Sequence, residues 1–174
     1  MAFNKEQLIK RLDSLNLPKG KYVLIAGGAM VMHGLRKETN DLDLSVDYDL
    51  YKKIMDGHHD LGPNVPKRPT YPSDTFKQRE IIHVSDDIEI SSGGKGLICS
   101  PPVELDGHMV QAIPDIHAFK SKMNRPKDQA DLEVLKAAME QEKRLHPKPE
   151  FKRKDLEFIK RKTPRGSFGR AGKF

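Results

Sequence analysis

A short apolar run, two glycines and two closely spaced aspartates constrain the fold of this chain more than any other feature. The run 22–25 predicts a buried strand, Gly27-Gly28 a turn without side-chain bulk, and 29–35 a short helix that starts at the glycines. A spacer of twelve residues then leads to a second predicted strand, 41–46. Strand, turn, helix and strand in this order indicate an α/β architecture.

The second strand carries two acids one residue apart. Because side chains alternate along a strand, Asp41 and Asp43 should share one face, roughly 7 Å apart, while Leu42 and Leu44 point into the core. Carboxylate oxygens are hard ligands that suit Mg²⁺, which is usually shared with substrate phosphates. The alternative is an exposed strand edge with solvated acids.

The glycine pair also has two interpretations. The free amides at the start of the following helix form a seat for phosphate, and the missing Cβ atoms of Gly27 and Gly28 would let the phosphate come close. A tight turn that needs positive φ explains the same two glycines without any ligand.

The remaining pattern predicts a mixed α/β (α+β) fold, with a central sheet and helices mainly on one face. Asn4 and Gln7 suggest a capping box for a first helix, and four prolines mark 58–73 as a loop. Further helices are predicted at 50–55, 114–123 and 126–144, and further strands at 79–84, 87–91, 97–100 and 108–112.

A third acid is predicted close to the first two. The alternation Ile88-Glu89-Ile90 places Glu89 on the face opposite the two isoleucines, and its direction could match that of Asp41 and Asp43. Asp86 and Asp87 are rival candidates, and Glu89 could also simply face solvent.

These motifs together resemble the nucleotidyltransferase superfamily, the fold of DNA polymerase beta and the CCA-adding enzymes. The resemblance consists of Gly-Gly, twelve residues, then Asp-Leu-Asp-Leu, followed by Ala118-Phe-Lys120 and the segment 125–135, Arg-Pro-Lys-Asp-Gln-Ala-Asp-Leu-Glu-Val-Leu. The later segment is similar to the helical motif in the branch that holds the AbiEii-type toxins and related minimal nucleotidyltransferases. The resemblance covers about residues 20 to 140.

The resemblance implies a site for NTP and Mg²⁺ or Mn²⁺. It assigns Asp41, Asp43 and Glu89 as metal ligands and catalytic groups, and it assigns the nucleotide contacts to Gly27, Gly28, Lys120, Asp128 and Asp131. The sequence also allows structural roles for three of these residues: Lys120 on a solvated helix face, Asp128 as a first-turn helix stabiliser and Asp131 as a surface acid.

The implied reaction is transfer of a nucleoside monophosphate from an NTP to a hydroxyl group. RNA or tRNA is the first expected acceptor and a protein side chain the second. A role in a toxin–antitoxin or phage-defence system, with a cognate partner protein, fits this branch. The competing hypothesis is a catalytically silent antitoxin or adaptor that binds a protein or nucleic acid through a basic tail.

Charge is concentrated at the end of the chain. The net charge is +6, but the residues from 141 onward hold twelve Lys or Arg against four Asp or Glu, a balance of +8, so the first 140 carry about −2. We therefore predict a nucleotidyltransferase domain at 1–144 and a basic appendage at 145–174. Phenylalanines lie between the basic residues, which suits an RNA-binding arm, although a solubilising or docking extension is the alternative. The expected nucleic-acid contacts are Lys152, Arg153, Lys154, Lys160, Arg161, Lys162 and Arg165.

The sequence also predicts a cytoplasmic protein without a membrane segment. No apolar run approaches the roughly 20 residues of a membrane helix, and no apolar secretory segment follows the first residues. A single cysteine, Cys99, rules out an internal disulfide and fits a reducing compartment.

Overall fold

A computed structural model describes residues 2–62, 65, 69–93 and 97–146 of the chain. The chain divides into two units, residues 1–140 and 141–174, and the candidate site belongs entirely to the first. The basic residues predicted to bind nucleic acid, between 152 and 165, lie outside the described residues. Within the described ranges, no helix combines the length and apolarity that crossing a membrane would require.

In the part of the chain that the structure describes, six strands form one mixed sheet in the order β3-β4-β2-β1-β6-β5. The pairs β2/β4 and β1/β6 are parallel, whereas β1/β2, β3/β4 and β5/β6 are antiparallel. The mixed α/β class expected from the sequence is confirmed. The strands are β1 Tyr22–Ile25, β2 Leu42–Val46, β3 Ile81–Ser85, β4 Ile88–Ser92, β5 Val103–Leu105 and β6 His108–Val110.

Of the helices in the described residues, one precedes β1, one connects β1 to β2, two lie between β2 and β3, and two follow β6. The first one begins with the predicted capping box, because the Asn4 side chain accepts from the Gln7 N–H and the Gln7 side chain accepts from the Asn4 N–H. A 3₁₀ turn, Pro126–Asp128, precedes the last helix. The helices are α1 Lys5–Asp13, α2 Ala26–Met32, α3 Tyr48–Met55, α4 Asp74–Gln78, α5 Ile113–Met123 and α6 Gln129–Leu145.

A row of apolar side chains crosses the sheet and anchors the core. In register from β3 to β6, the row is Ile82, Ile90, Leu44, Leu24 and Val110, each 0–1 % exposed. Because side chains alternate, the next residue along each strand faces the other side of the sheet. The core row therefore fixes which residues of β2, β3 and β4 can meet on the opposite face.

Two boundary predictions are wrong for identifiable reasons. Residues 97–100 do not form a strand, because the N–H groups of Cys99 and Ser100 donate to the Asp115 carboxylate instead of to a neighbouring strand. The helix predicted at 29–35 begins earlier, at Ala26, and Gly34 follows its end with φ of +72°. The glycine pair therefore lies inside the first turn of α2.

Candidate active site

Two acids and a histidine, Asp43, Glu89 and His83, form a row across three neighbouring strands, one position away from the core row. We call the two acids of this row, together with the adjacent Asp41, the acid row. Asp43 on β2 pairs with Glu89 on the parallel strand β4, and Glu89 pairs with His83 on β3. Neighbouring strands lie about 4.8 Å apart, so these side chains stand beside one another on one face. The His83 Nε2 atom lies 3.2 Å from Glu89 Oε2. The expected match between the directions of Glu89 and Asp43 is therefore present in the register.

Asp43 is the electrostatic centre of this row. Its pKa is raised from 3.8 to about 7, first by burial and then by the nearby charges of Glu89 and Asp41. The cations Lys120 and Arg125 are close enough to lower the same pKa, but they only partly offset these effects. Three acids thus concentrate negative charge at one point of the sheet, with two cations opposing it.

The other acids of these segments differ in their surroundings. Asp41 is exposed and directly precedes β2, and its carbonyl accepts from the Thr39 hydroxyl at 3.3 Å. Asp87 is held by Arg11, with Nε–Oδ2 at 2.9 Å. Burial alone would raise the pKa of Asp87, but the hydrogen bonds from Arg11 and Ser85 and the Arg11 charge together lower it. Asp86 is exposed in the β3–β4 turn. Of the three acids at 86, 87 and 89, Glu89 is the one in register with Asp43.

The glycine pair follows the end of β1 that lies beside Asp43. Ile25, the last residue of β1, pairs with Asp43, so Gly27 and Gly28 follow directly after the acid row. A Cβ at Gly27 would lie 2.8 Å from Thr39 Oγ1 and 3.5 Å from an Arg36 guanidinium nitrogen. Gly28 is buried, and a Cβ there would lie 2.9 Å from Leu24 Cδ1. Close packing therefore accounts for both glycines, and Gly27 in addition lies beside the Arg36 cation.

The helical motif contributes an ion-pair network. The Lys120 ammonium, on α5, lies 2.8 Å from Asp128 and 2.9 Å from Asp131. Arg125 Nε contacts Asp128 at 2.6 Å, and Arg36 lies 3.6 Å from Asp131. The network thus connects the loop after α2 to α5 and α6.

Two charged members of this ion-pair network, Lys120 and Asp128, are buried. Lys120 is 4 % exposed and Asp128 is 2 % exposed, so both charges are held away from bulk water. Burial alone would raise the pKa of Asp128, but the hydrogen bonds and charges of Arg125 and Lys120 prevail and lower it to about 2. Asp128 is therefore an anion whose main partners are Lys120 and Arg125, and Lys120 is not on a solvated face.

Sequence reasoning missed three charged or polar neighbours of the site. Arg36 and Arg125 are 41 % and 38 % exposed at their side chains and lie beside Asp131 and Asp128. Alternation along β3 could have pointed to His83, because it is in register with Glu89. The spacing of Arg125 and Asp128, three residues apart, could have pointed to their ion pair, whereas nothing local marks Arg36, whose partner Asp131 is distant in sequence.

Neither the metal-ligand pattern of the described residues nor comparison with known proteins assigns a function to this site. Within the described ranges, no group of three or more His, Cys, Asp or Glu side chains is arranged to hold a metal ion. Comparison with protein-family models, with curated proteins and with solved structures gave no match.

Proposed function

We propose that this chain is a divalent-metal-dependent nucleotidyltransferase, which transfers a nucleoside monophosphate from an NTP to a hydroxyl acceptor. The observation that carries the proposal is the register of Asp43 with Glu89 on adjacent parallel strands, next to Asp41. Such an arrangement collects carboxylates on one face without help from flexible loops. The diglycine turn follows the strand that pairs with Asp43, which places a candidate phosphate contact beside candidate metal ligands.

The donor set fits Mg²⁺ or Mn²⁺. Carboxylate oxygens are the preferred protein ligands of both ions. The described acids do not form a preformed metal site, so in the proposal their side chains converge only when the ion binds. Burial, and then the charges of Glu89 and Asp41, raise the pKa of Asp43, so a bound cation would favour the Asp43 anion. In the proposal, Asp43, Glu89 and Asp41 hold the metal. When bound, the ion would neutralise charge on the NTP phosphates and on the leaving pyrophosphate.

The cations near these acids suit a triphosphate. Arg36 and Arg125 are half-exposed, so their guanidinium groups can reach a ligand while they keep their acidic partners. The Lys120 ammonium has three N–H donors and lies beside Asp128 and Asp131; in the proposal, one of these donors contacts a phosphate oxygen. Asp128 and Asp131 then serve the nucleotide by holding this lysine.

The chemistry is an in-line displacement at the α-phosphorus. The acceptor hydroxyl oxygen forms a bond to the α-phosphorus while the bond from that phosphorus to the bridging oxygen breaks. The electron pair of the broken bond leaves with pyrophosphate, and a carboxylate of the acid row takes the hydroxyl proton. Positioning and charge neutralisation supply most of the acceleration in reactions of this kind.

RNA, and tRNA in particular, is the first acceptor in this proposal, and a protein side chain is the second. The first 140 residues carry about −2 by the sequence count, so a polyanionic acceptor needs a basic guide. The twelve Lys and Arg residues after position 140 provide one. A toxin–antitoxin or phage-defence role, with a cognate partner, remains a proposal that follows from the family resemblance.

A labelling experiment tests this function. The full chain is incubated with α-phosphate-labelled NTPs, Mg²⁺ and total RNA, and nuclease and protease digestion then shows which polymer carries label. Wild type and the Asp86→Asn control should transfer label equally, whereas Asp43→Asn should lose about 100-fold or more. Absence of transfer to RNA or protein by wild type, together with no Mg–NTP binding in calorimetry, would overturn the proposal.

A second comparison separates the proposed enzyme from a silent adaptor. Deletion of residues 151–174 should weaken RNA labelling but leave Mg–NTP binding in place. If the deletion abolishes the cellular function while Asp41→Ala/Asp43→Ala does not, the adaptor hypothesis is favoured instead.

A further inference from the structure

Gln111 is a buried polar residue that connects four parts of the fold. It follows β6, is 0 % exposed, and its Oε1 accepts from the Ala26 N–H at 3.0 Å while its Nε2 donates to the Leu97 carbonyl. Its main-chain N–H donates to the Leu24 carbonyl at 2.9 Å. Its own carbonyl lies 2.9 Å from His33 Nε2, which must therefore carry the proton and donate. Gln111 thus bonds to β1, to both ends of α2 and to the loop before β5.

Its side-chain partner Ala26 has an unusual backbone conformation. Ala26 has φ of +54°, in the left-handed region that an L side chain disfavours. Four other described non-glycine residues share a positive φ, and each has a polar side chain, unlike alanine: Asn16, Glu80, Asp106 and Asn124. The conformation of Ala26 therefore needs support from outside its own side chain, and Gln111 Oε1 supplies it at the Ala26 N–H.

Ala26 lies at the junction between β1 and the glycine pair. Ala26 lies between Ile25, which pairs with Asp43, and the diglycine pair. The direction in which the chain leaves β1 at Ala26 determines where Gly27 and Gly28 lie relative to the acid row. Backbone strain that persists in a folded protein has to be maintained by its surroundings, and such strain clusters at ligand sites.

We propose that Gln111 is a positioning residue for the nucleotide site: its buried amide holds Ala26 in the left-handed conformation and thereby orients the diglycine turn toward Asp43. The effect of Gln111 on nucleotide binding rests on the proposed function, whereas its effect on the backbone of Ala26 does not. Gln111 does not touch substrate in this account, and it acts through the backbone of Ala26.

The test compares the loss of this amide with the loss of a buried hydrogen bond elsewhere. Gln111→Met removes both side-chain bonds at similar volume. Tyr22→Phe removes the 2.6 Å bond between the Tyr22 hydroxyl and His108 Nδ1, at the other end of β1. Calorimetry of Mg–ATP and Mg–GTP should show about tenfold weaker binding in Gln111→Met, the size expected when a left-handed alanine loses its support. Tyr22→Phe should bind as wild type does.

A rescue variant distinguishes positioning from general damage. Glycine adopts positive φ at little cost, so the Gln111 amide should matter little when residue 26 is glycine. We expect the double variant Ala26→Gly/Gln111→Met to bind nucleotide nearly as tightly as Ala26→Gly alone, which recovers most of the tenfold loss. A variant that was merely destabilised would not recover nucleotide affinity in this way. If Gln111→Met does not fold, Gln111→Asn, which withdraws the amide by one methylene, is compared with Tyr22→Phe and rescued in the same manner.

Hydrogen exchange keeps this inference separate from the proposed function. In the full chain without nucleotide, Gln111→Met should exchange the amides of residues 26–28 about tenfold faster than Tyr22→Phe does. Equal exchange in the two variants, or failure of Ala26→Gly to rescue binding, overturns the positioning role. If wild type binds no nucleotide, the proposed function fails, and the exchange comparison alone decides whether Gln111 holds the turn.

Discussion

Replacing Asp43 by asparagine should stabilise the protein while it removes the proposed activity. Asp43 has a pKa raised from 3.8 to about 7, so its ionised form is disfavoured in the folded state. A shift of this size corresponds to about 4 kcal/mol, and solvent at the partly exposed side chain reduces the expected cost to roughly 3 kcal/mol. Asparagine keeps the shape and removes the charge, so this cost disappears.

The difference in unfolding free energy between Asp43→Asn and wild type should depend on pH. Below pH 3.8 the carboxyl is protonated in both folded and unfolded chains, so Asp43→Asn and wild type should be about equally stable. The advantage of Asp43→Asn should grow as the pH rises from about 4 to 7 and stay near 3 kcal/mol above that, because the wild-type anion is then buried.

The assay is urea unfolding of both proteins, in the presence of EDTA, at pH 5, 6, 7 and 8. Asp86→Asn is the matched control, since it removes the same charge from an exposed turn and should change stability by less than about 0.5 kcal/mol. An Asp43→Asn variant that is no more stable than wild type at pH 8, or whose advantage does not vary with pH, would refute the reasoning.

Three further perturbations probe the network and the turn. Lys120→Met should cost about 3–5 kcal/mol in urea unfolding at pH 7, because it leaves two carboxylates, Asp128 and Asp131, without their shared buried cation; a loss below about 1 kcal/mol would contradict this. Asp128, with a pKa lowered to about 2, should contribute about 2 kcal/mol above pH 4 that is lost as the pH falls toward 2, and Asp128→Asn should remove this acid dependence; an unchanged acid limb would speak against it. Gly28→Ala should cost about 1–3 kcal/mol through the clash with Leu24 Cδ1, and Leu24→Val, which lacks that atom, should recover part of the loss; the idea of close packing fails if the two substitutions act additively.

Local patterns predicted the strands that carry the acids. The run 22–25 became β1 as expected, and alternation at 88–90 placed Glu89 on the face away from two buried isoleucines. These features depend on side-chain periodicity over a few residues, which a sequence displays directly. The same is true of the capping box at Asn4.

Contacts between distant segments could not be predicted in this way. Arg36 and Asp131 are far apart in sequence, and only the tertiary fold brings the loop after α2 to α6, where the two side chains lie 3.6 Å apart. The loop at 97–100 reads as an apolar strand, but the Asp115 carboxylate takes up its N–H groups. Gln111 carries no local signal either, because its importance lies in the strained residue it contacts 85 positions away.

An anomalous-scattering experiment addresses the central claim directly. Crystals of the full chain are soaked with Mn²⁺ and a non-hydrolysable NTP analogue, and data are collected at the manganese absorption edge. We expect an anomalous peak bonded to the Asp43 carboxylate and to at least one of Asp41 and Glu89, with the analogue's phosphates beside it. No peak at these carboxylates in wild-type crystals, at millimolar Mn²⁺ and analogue, would contradict the assignment of this acid row as a nucleotidyltransferase site.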